Sequence, residues 1–384
     1  MADHRLDALT PMTHAEIENL PLVVSDAMHC DPLYVPATRR SGERAWFDVF
    51  AMSASCFVVS IGNVAGAGAD TAAIVRAIRR TFGPTDLPAG PKTLLQAADA
   101  MFRQAASDAT FATAIVGIVD CADQTFTYVS AGHPPPFLRF HDGSVSPLPA
   151  DGLPIGLSER DYPPAQVVID LQGAALLLLY SSTLVVATKD VGEGVERLAR
   201  ELGDERFAQC SSPAAWIARR MLAGTKHDDA ALLALSFPAR PRALAPALPG
   251  VPPRWTVTWS FDSTSAASLG ARRAFLACLS SKITGTPIDM AAAELIFGEL
   301  LGNVVRHAPG PVEISLDWSD TLPVLHVLDS GPGFRSRRKR ERLPADDWSE
   351  SGRGLFIVNA CAVQFSVRNR HGRGTHASAT LPPA

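Results

Sequence analysis

The amino-acid sequence predicts an α+β protein built as two domains, and three observations carry that reading. Between residues 34 and 237, strand-like apolar runs are separated by stretches of helical period. Residues 238–253 are proline-dense and lack periodicity, which reads as a semi-rigid linker. From residue 254 a second set of strands and helices begins. A chain of 384 residues, 47% hydrophobic and 19% charged, has enough apolar side chains to fill two or three cores.

Taken in order, residues 1–33 form a weakly patterned N-terminal segment, with 13–20 compatible with a short helix. Strands are expected over 46–52, 56–61, 113–119, 125–130, 137–140, 167–171, 174–180 and 230–236. Helices are expected over 69–82, 91–107, 192–202 and 213–223. The most apolar run, 173–180, is too short to span a bilayer and reads as a buried strand. In the second domain, 286–310 reads as a helix: Thr286 can cap it, Pro287 suits its first position, and Asp289 completes a capping box. Pro309-Gly310 stops it. Val312, Ile314, Leu316 and Trp318 alternate as in a half-buried strand, and 323–328, 364–369 and 376–381 supply three more.

Composition removes several function classes. A net charge of −4 gives no bulk electrostatic reason to expect nucleic acid. The six cysteines are scattered without a CxxC pair, which reads as reduced thiols in a cytoplasmic protein with no zinc site. The N-terminus lacks an apolar signal core, so no membrane association is expected.

The chemistry-bearing residues of the second domain lie at its turns. Glu299, Asn303 and His307 recur every four residues and share one face of an otherwise apolar helix. A buried helix holding a carboxylate, an amide and an imidazole in a row needs a use for them; the plainer reading is a polar stripe facing water. The strand at 323–328 runs into Asp329-Ser-Gly331-Pro-Gly333, a carboxylate followed by glycines that let backbone approach a flat ligand. Gly352-Arg-Gly354 opens a helix whose first N–H groups can hold phosphate. Gly374-Thr375 sits between the last two strands.

This ordered set resembles the Bergerat-fold ATPases, the superfamily of gyrase, sensor histidine kinases and MutL. Glu299-x3-Asn303-x3-His307 matches its N box, and the three glycine-bearing segments match its glycine boxes in order. The resemblance covers 254–384 and implies an α/β sandwich that binds ATP with Mg²⁺. Asn303 would ligate the Mg²⁺, and Asp329 would accept from the adenine amino group. Gly331 and Gly333 would shape the purine pocket, Gly352 and Gly354 would bring amides to the phosphates, and Thr375 would support the adenine end. Glu299 would be the general base, its other reading being a structural carboxylate bonded to nearby backbone. Arg353 reads as a solvated loop arginine, with γ-phosphate contact as the alternative; Arg306 and His307 carry no assigned role. The basic run 335–342 falls in the segment the superfamily uses as an ATP lid, and acids follow it at once. The compact form looks most like the anti-sigma-factor serine kinases of bacterial partner-switching systems. Their acceptor is a serine or threonine on a STAS-domain antagonist, a sigma factor is a further partner, and such kinases often form homodimers.

The first domain carries a second resemblance. Tyr34-x-Pro36-Ala37, Trp46-Phe47-Asp48, Gly62-Asn-Val-Ala-Gly66-x-Gly68, Phe111-x-Thr113-Ala114, Ala131-Gly-His133-Pro-Pro135, Gly152-Leu-Pro-x-Gly156 and Asp228-Asp229 follow in order. They look like the PPM-type metal-dependent serine phosphatases of the stress-response and sporulation class, over 34–237. This implies a β-sandwich flanked by helices, with two Mn²⁺ or Mg²⁺ ions held by aspartates. The pattern departs at the metal site: Ala45, Asn63 and Ser182 stand where that family has aspartates, while Asp228 and Asp229 survive. Neutral side chains bind divalent ions far more weakly than carboxylates. The expectation is a phosphatase-like domain that has lost its metal centre, unless Glu43, Asp48 or Asp70 substitutes.

Three functions follow. The first is an ATP-dependent serine/threonine kinase acting on a STAS-domain antagonist, with a silent phosphatase-like domain. The second is an active bifunctional kinase and phosphatase. The third is a non-catalytic nucleotide-binding scaffold.

Overall fold

The computed structural model describes residues 22–25, 27–38, 44–66, 71–82, 90–105, 110–157, 164–186, 191–239, 255–280, 286–318, 321–333, 353–370 and 374–384. The chain divides into two compact units. The first opens with β1 (Leu22–Ser25), β2 (Met28–Val35), β3 (Ala45–Ala51) and β4 (Cys56–Ala65), followed by α1 (Thr71–Phe82) and α2 (Pro91–Ala105). It continues with β5 (Phe111–Asp120), β6 (Thr125–Ala131), β7 (Phe137–Phe140) and β8 (Val145–Pro147). After β9 (Gln166–Asp170), which groups with the second unit, come β10 (Ala174–Tyr180), α3 (Thr183–Val186), α4 (Val191–Leu202), α5 (Pro213–Leu222) and β11 (Ala230–Ser236).

These strands form two antiparallel layers, β1-β2-β11-β10-β7-β8 and β6-β5-β4-β3. Val75, Ile78 and Phe82 of α1 and Leu95, Ala98 and Phe102 of α2 pack on the second layer against Trp46, Val64 and Val116. Leu198 and Leu202 of α4 and Ile217 and Met221 of α5 pack on the first, against Phe137, Leu178 and Leu232. The result is a β-sandwich with helices on its outer faces. Strands covered on both faces have no solvent side to mark with polar residues, so β10 and β11 read as unbroken apolar runs rather than alternating ones.

The sequence reading missed β1 and β2. In β2, Asp31-Pro32 interrupts the apolar pattern and reads as a breaker. Pro32 is tolerated because β1 covers β2 only through Met28–Cys30, leaving the rest as an edge on that side while β11 pairs along the other.

The second unit holds β12 (Trp255–Asp262), α6 (Ser265–Ser280), α7 (Met290–His307), β13 (Pro311–Asp317), β14 (Val324–Asp329), α8 (Arg353–Cys361), β15 (Gln364–Asn369) and β16 (Thr375–Thr380). With β9 they form an antiparallel sheet in the order β15-β16-β14-β13-β12-β9. One face is apolar: Trp259, Ile314, Val327 and Ala377 lie side by side on successive strands, all buried. The other is polar, with Gln166, Thr258, Ser315, His326, Ser378 and Ser366 aligned in one row across six strands. On that face His326 Nδ1 lies 2.9 Å from His376 Nε2. Phe275 of α6 and Phe297 of α7 stack with ring centroids 4.4 Å apart, locking the two helices together. Among the described residues no helix is long and apolar enough to cross a membrane.

Helix α7 starts later than its sequence suggests. Pro287 and Ile288 are extended against the chain end: Ala384 N–H donates to the Pro287 carbonyl, and Ile288 bridges Pro383. Asp289 therefore becomes the N-cap, accepting from Ala292 N–H at 3.0 Å, and Thr286 is left outside the helix.

Replacing Phe297 by Ala is expected to cost about 3–5 kcal/mol, because it empties a buried stacked position. Leu295→Ala on the same helix, at a residue 44% exposed, should stay within about 0.5 kcal/mol. Urea midpoints of the two variants check the contrast.

Candidate functional site

Helix α7 buries Ala293, Ile296, Phe297, Leu300, Leu301 and Val304, which leaves Glu299 and Asn303 half-buried at the border of the apolar stripe. Both face the start of α8. A Cβ added to Gly354 would lie 2.6 Å from Glu299 Oε2 and 3.6 Å from both Asn303 amide atoms. Asn303 Nδ2 is buried with no partner among the described residues. His307, the third member of the stripe, ends the helix and is exposed. Arg306 folds back, with Nε donating to the Gly302 carbonyl at 3.0 Å and Nη2 4.0 Å from Glu299 Oε2. With Arg306 half exposed, that ion pair contributes little energy.

Asp329 closes β14 and is 7% exposed. Its Oδ1 accepts N–H from Gly331 at 2.8 Å and from Thr375 at 3.2 Å. The pairing of β14 with β16 brings these two segments together, since Leu328 stands opposite His376. Gly374 has φ +97°, and a Cβ there would overlap the Asp329 carbonyl, so only glycine fits. A Cβ at Gly331 would run into Ala308, the residue that ends α7, and Gly333 lies against Asn369. The last turn of α7, the Asp329–Gly333 turn and the Gly374-Thr375 entry to β16 thus form one connected rim. Gly352, the Arg353 side chain and the basic run 335–342 lie outside the described residues. Sequence reasoning gave no role to Ala308 or to Arg370, whose N–H donates to the Gly374 carbonyl at 3.1 Å. Neither carries a distinctive local signal.

In the first unit a cleft of about 290 Å³ is lined by Arg44, Asn63, Ser182, Lys226, Asp228 and Asp229, among others. Ala45 pairs with Asn63 in the β3–β4 register and is fully buried. The positions singled out in the sequence therefore converge. Asp229, 3% exposed, uses Oδ2 to accept from Tyr34 Oη at 2.7 Å, Arg44 N at 2.7 Å and Ala45 N at 2.9 Å. Its Oδ1 is buried without a partner among the described residues. Asp48 does not reach the cleft. It lies three residues beyond Ala45, on the opposite face of β3, where Arg79 of α1 grips both its oxygens at 2.6–3.1 Å. Glu43 and Asp70 lie outside the described residues. The two cations, Arg44 and Lys226, were not foreseen as cleft residues.

Beneath the cleft runs a chain of polar groups. His133 Nε2 lies 2.8 Å from the Tyr180 carbonyl, and its Nδ1 lies 3.0 Å from Thr113 Oγ1. Thr113 Oγ1 and Ser182 Oγ then lie 3.0 and 2.9 Å from the Asn63 amide. Burial pulls the His133 pKa down to about 4, so the ring is neutral. Both ring nitrogens are thus engaged, Nε2 at the Tyr180 carbonyl and Nδ1 at Thr113, and the Thr113 and Ser182 hydroxyls donate to the Asn63 side-chain carbonyl.

Because the fold holds His133 neutral, the stability it contributes is complete above pH about 6.5 and is lost as pH falls toward 4. The unfolded chain takes up a proton over that window and the folded one does not. The expected loss is on the order of 3 kcal/mol. His133→Gln should flatten the fall of the urea midpoint between pH 7 and 4.5 relative to the unsubstituted protein.

Comparison with known proteins agrees with this architecture. Residues 53–238 match the family model of Stage II sporulation protein E (SpoIIE), and residues 262–381 match that of the histidine kinase-like ATPase domain. The chain carries a SpoIIE-type, PPM phosphatase-like domain followed by a histidine kinase-like ATPase domain. Among solved structures it is similar to the RsbU and RsbW domains of Rv1364c from Mycobacterium tuberculosis, at 21% identity over 93% of each chain with a TM-score of 0.46. It is also similar to the PP2C phosphatase domain with a regulatory fragment of SpoIIE from Bacillus subtilis, at 16% identity over 56% of this chain and 64% of that one, TM-score 0.47. A third is the SiaA-PP2C domain of Pseudomonas aeruginosa, at 20% identity over 54% of this chain and 86% of that one, TM-score 0.41.

Proposed function

We propose that this chain is a bacterial partner-switching regulator: a Mg-ATP-dependent serine/threonine kinase of the anti-sigma-factor type, acting on a STAS-domain antagonist. The observation that carries the reading is the pairing of Glu299 with Asn303 against Gly354, where any larger residue would fill the space in front of both. The match of residues 262–381 to the histidine kinase-like ATPase domain supports it.

The residues present fit a magnesium nucleotide. Asn303 stands half-buried against Gly354, and a hard ion favours amide and phosphate oxygens, so Asn303 would hold the metal through its side-chain carbonyl oxygen. Asp329, whose Oδ1 is fixed by two N–H groups, keeps Oδ2 to accept from an adenine amino group. Gly331 and Gly333 would line the base side, Gly352 and Gly354 would give backbone to the phosphates, and Thr375 would support the adenine end. When bound, ATP supplies the transferable phosphoryl group and Mg²⁺ neutralises its developing charge. Glu299 would take the proton from the attacking hydroxyl.

The first unit is read as a phosphatase-like domain without its metal pair. Two divalent ions bring four positive charges. The cleft offers two carboxylates, one already engaged by three donors, together with two cations, Arg44 and Lys226. Among the described residues no three His, Cys, Asp or Glu side chains gather to hold a metal. This donor set does not fit a dinuclear centre, and no hydrolytic step is assigned to it.

Labelled ATP, Mg²⁺ and a panel of STAS-domain proteins test the kinase. The intact protein should label a serine or threonine on one of them. Asn303→Ala should lose nucleotide binding and transfer together. Glu299→Gln should still bind ATP while transfer falls about 10²–10⁴-fold. Tight ATP binding by the unsubstituted protein with no transfer to any acceptor would leave only a scaffold.

A further inference from the structure

We propose that His326 and His376, paired on the polar face of the second unit's sheet, are a brace that positions Asp329 and Thr375 on the opposite face and releases them when both rings are protonated. The consequence for nucleotide affinity rests on the nucleotide reading above; the positioning of the rim does not.

The strand register places the pair directly behind the rim. The β14–β16 ladder runs from Val324↔Thr380 to Leu328↔His376. Asp329 and Thr375 are the next residues outward, and side chains alternate along a strand, so theirs point away from the face that carries His326 and His376. Beyond that last rung, Thr375 N–H reaches Asp329 Oδ1 at 3.2 Å, at the long end of the hydrogen-bond range. On the back of the sheet the imidazoles join the same two strands, with His326 Nδ1 2.9 Å from His376 Nε2 and ring centroids 5.1 Å apart. Arg370 connects the pair to the rim from the side. Its N–H donates to the Gly374 carbonyl at 3.1 Å, its Nη1 lies 3.5 Å from the Asp329 carbonyl, and its charge acts on His376.

The bond between the rings survives one added proton but not two. Two neutral imidazoles set an N–H against a lone pair, and a singly protonated pair keeps that arrangement. A second proton makes both facing nitrogens donors, and the rings must part. The described charged groups around the pair on this face are Arg368 opposite His376, Arg370 beyond it, and Asp317 and Glu313 on β13. Burial and the charge of His376 lower the His326 pKa against the opposing pull of Asp317; burial, Arg370 and Arg368 lower that of His376. The folded pair therefore protonates below the ordinary histidine value of 6.5, so the brace is whole above that pH and is lost as pH falls through the lowered values. His376 lines an open groove of about 260 Å³ with Ser366, Arg368, Ser378 and Thr380, through which solvent protons reach it.

The test takes two readouts from the full chain. Hydrogen exchange of the nucleotide-free protein, corrected for the intrinsic effect of pH, follows the Gly331 and Thr375 amides that Asp329 Oδ1 holds. Their protection should fall several-fold in the parent between about pH 7.5 and 5.5. In His326→Gln and His376→Gln it should be lower at the upper pH and no longer respond to pH. Calorimetry with a non-hydrolysable ATP analogue and Mg²⁺ gives the second readout. Over the same interval the parent's Kd should rise about three- to tenfold more than that of either variant, a comparison that cancels the titration of the nucleotide itself. Urea midpoints establish that both variants are folded. Protection that falls with pH equally in parent and variants overturns the brace, because a merely structural pair would lower protection without altering its pH dependence. A Kd with the same pH dependence in all three proteins overturns it as well. A parent that binds no analogue at any pH overturns the nucleotide reading instead, and the exchange readout then decides the brace by itself.

Discussion

Each unit of this protein is arranged around a buried aspartate whose oxygen must be satisfied by backbone. In the second, Asp329 Oδ1 gathers the N–H groups of Gly331 and Thr375, tying the end of one strand to the start of another. In the first, Asp229 Oδ2 gathers those of Arg44 and Ala45 with the Tyr34 hydroxyl, tying β11 to β2 and β3. A buried carboxylate without such donors is costly, on the order of several kcal/mol. The loops that supply them are therefore held in place, and so are the side chains that follow. Arg44 and Ala45 are positioned by the same bonds that satisfy Asp229 Oδ2.

The two clefts solve opposite electrostatic problems. Around α7 the surroundings are stripped of side chains: Gly331, Gly354 and Gly374 each sit where one more carbon would strike Ala308, Glu299 or the Asp329 carbonyl. Such a site exposes backbone N–H groups and leaves its acids, Glu299 and Asp329, few in number and fixed in direction. The first unit instead keeps its side chains, two cations and two carboxylates, above hydroxyls and an amide linked to a neutral histidine.

Much of this was legible in the residues. The sandwich strands announced themselves by apolar runs, and the order of Glu299, Asn303, Asp329, Gly354 and Gly374 marked where α7, β14, α8 and β16 would meet. What escaped had physical reasons. β2 was hidden by Asp31-Pro32, harmless only because β1 is too short to need that N–H. The helix cap moved from Thr286 to Asp289 because the chain end pairs with Pro287 and Ile288, a contact between residues almost a hundred apart that no local pattern encodes. Arg44 and Lys226 carry no local signal, and only the fold brings residues so far apart in the chain to the lining of one cleft. His307 shared the spacing of its neighbours, but lying at the final turn it points to solvent.

The strand β9 lies within the segment that matches SpoIIE, yet it belongs to the second unit and hydrogen-bonds antiparallel to β12 in that unit's sheet, from Gln166↔Thr258 to Ile169↔Trp255. An isolated ATPase-like piece cut at the proline-rich stretch would lose that cover. Its first strand, Trp255–Asp262, would present a bare ladder of N–H and C=O groups flanked by two tryptophans, a template for intermolecular pairing. Solubility of the carboxy-terminal half is in this sense borrowed from the amino-terminal half, and a severed fragment that precipitates would be reporting an uncovered edge rather than a failure to fold.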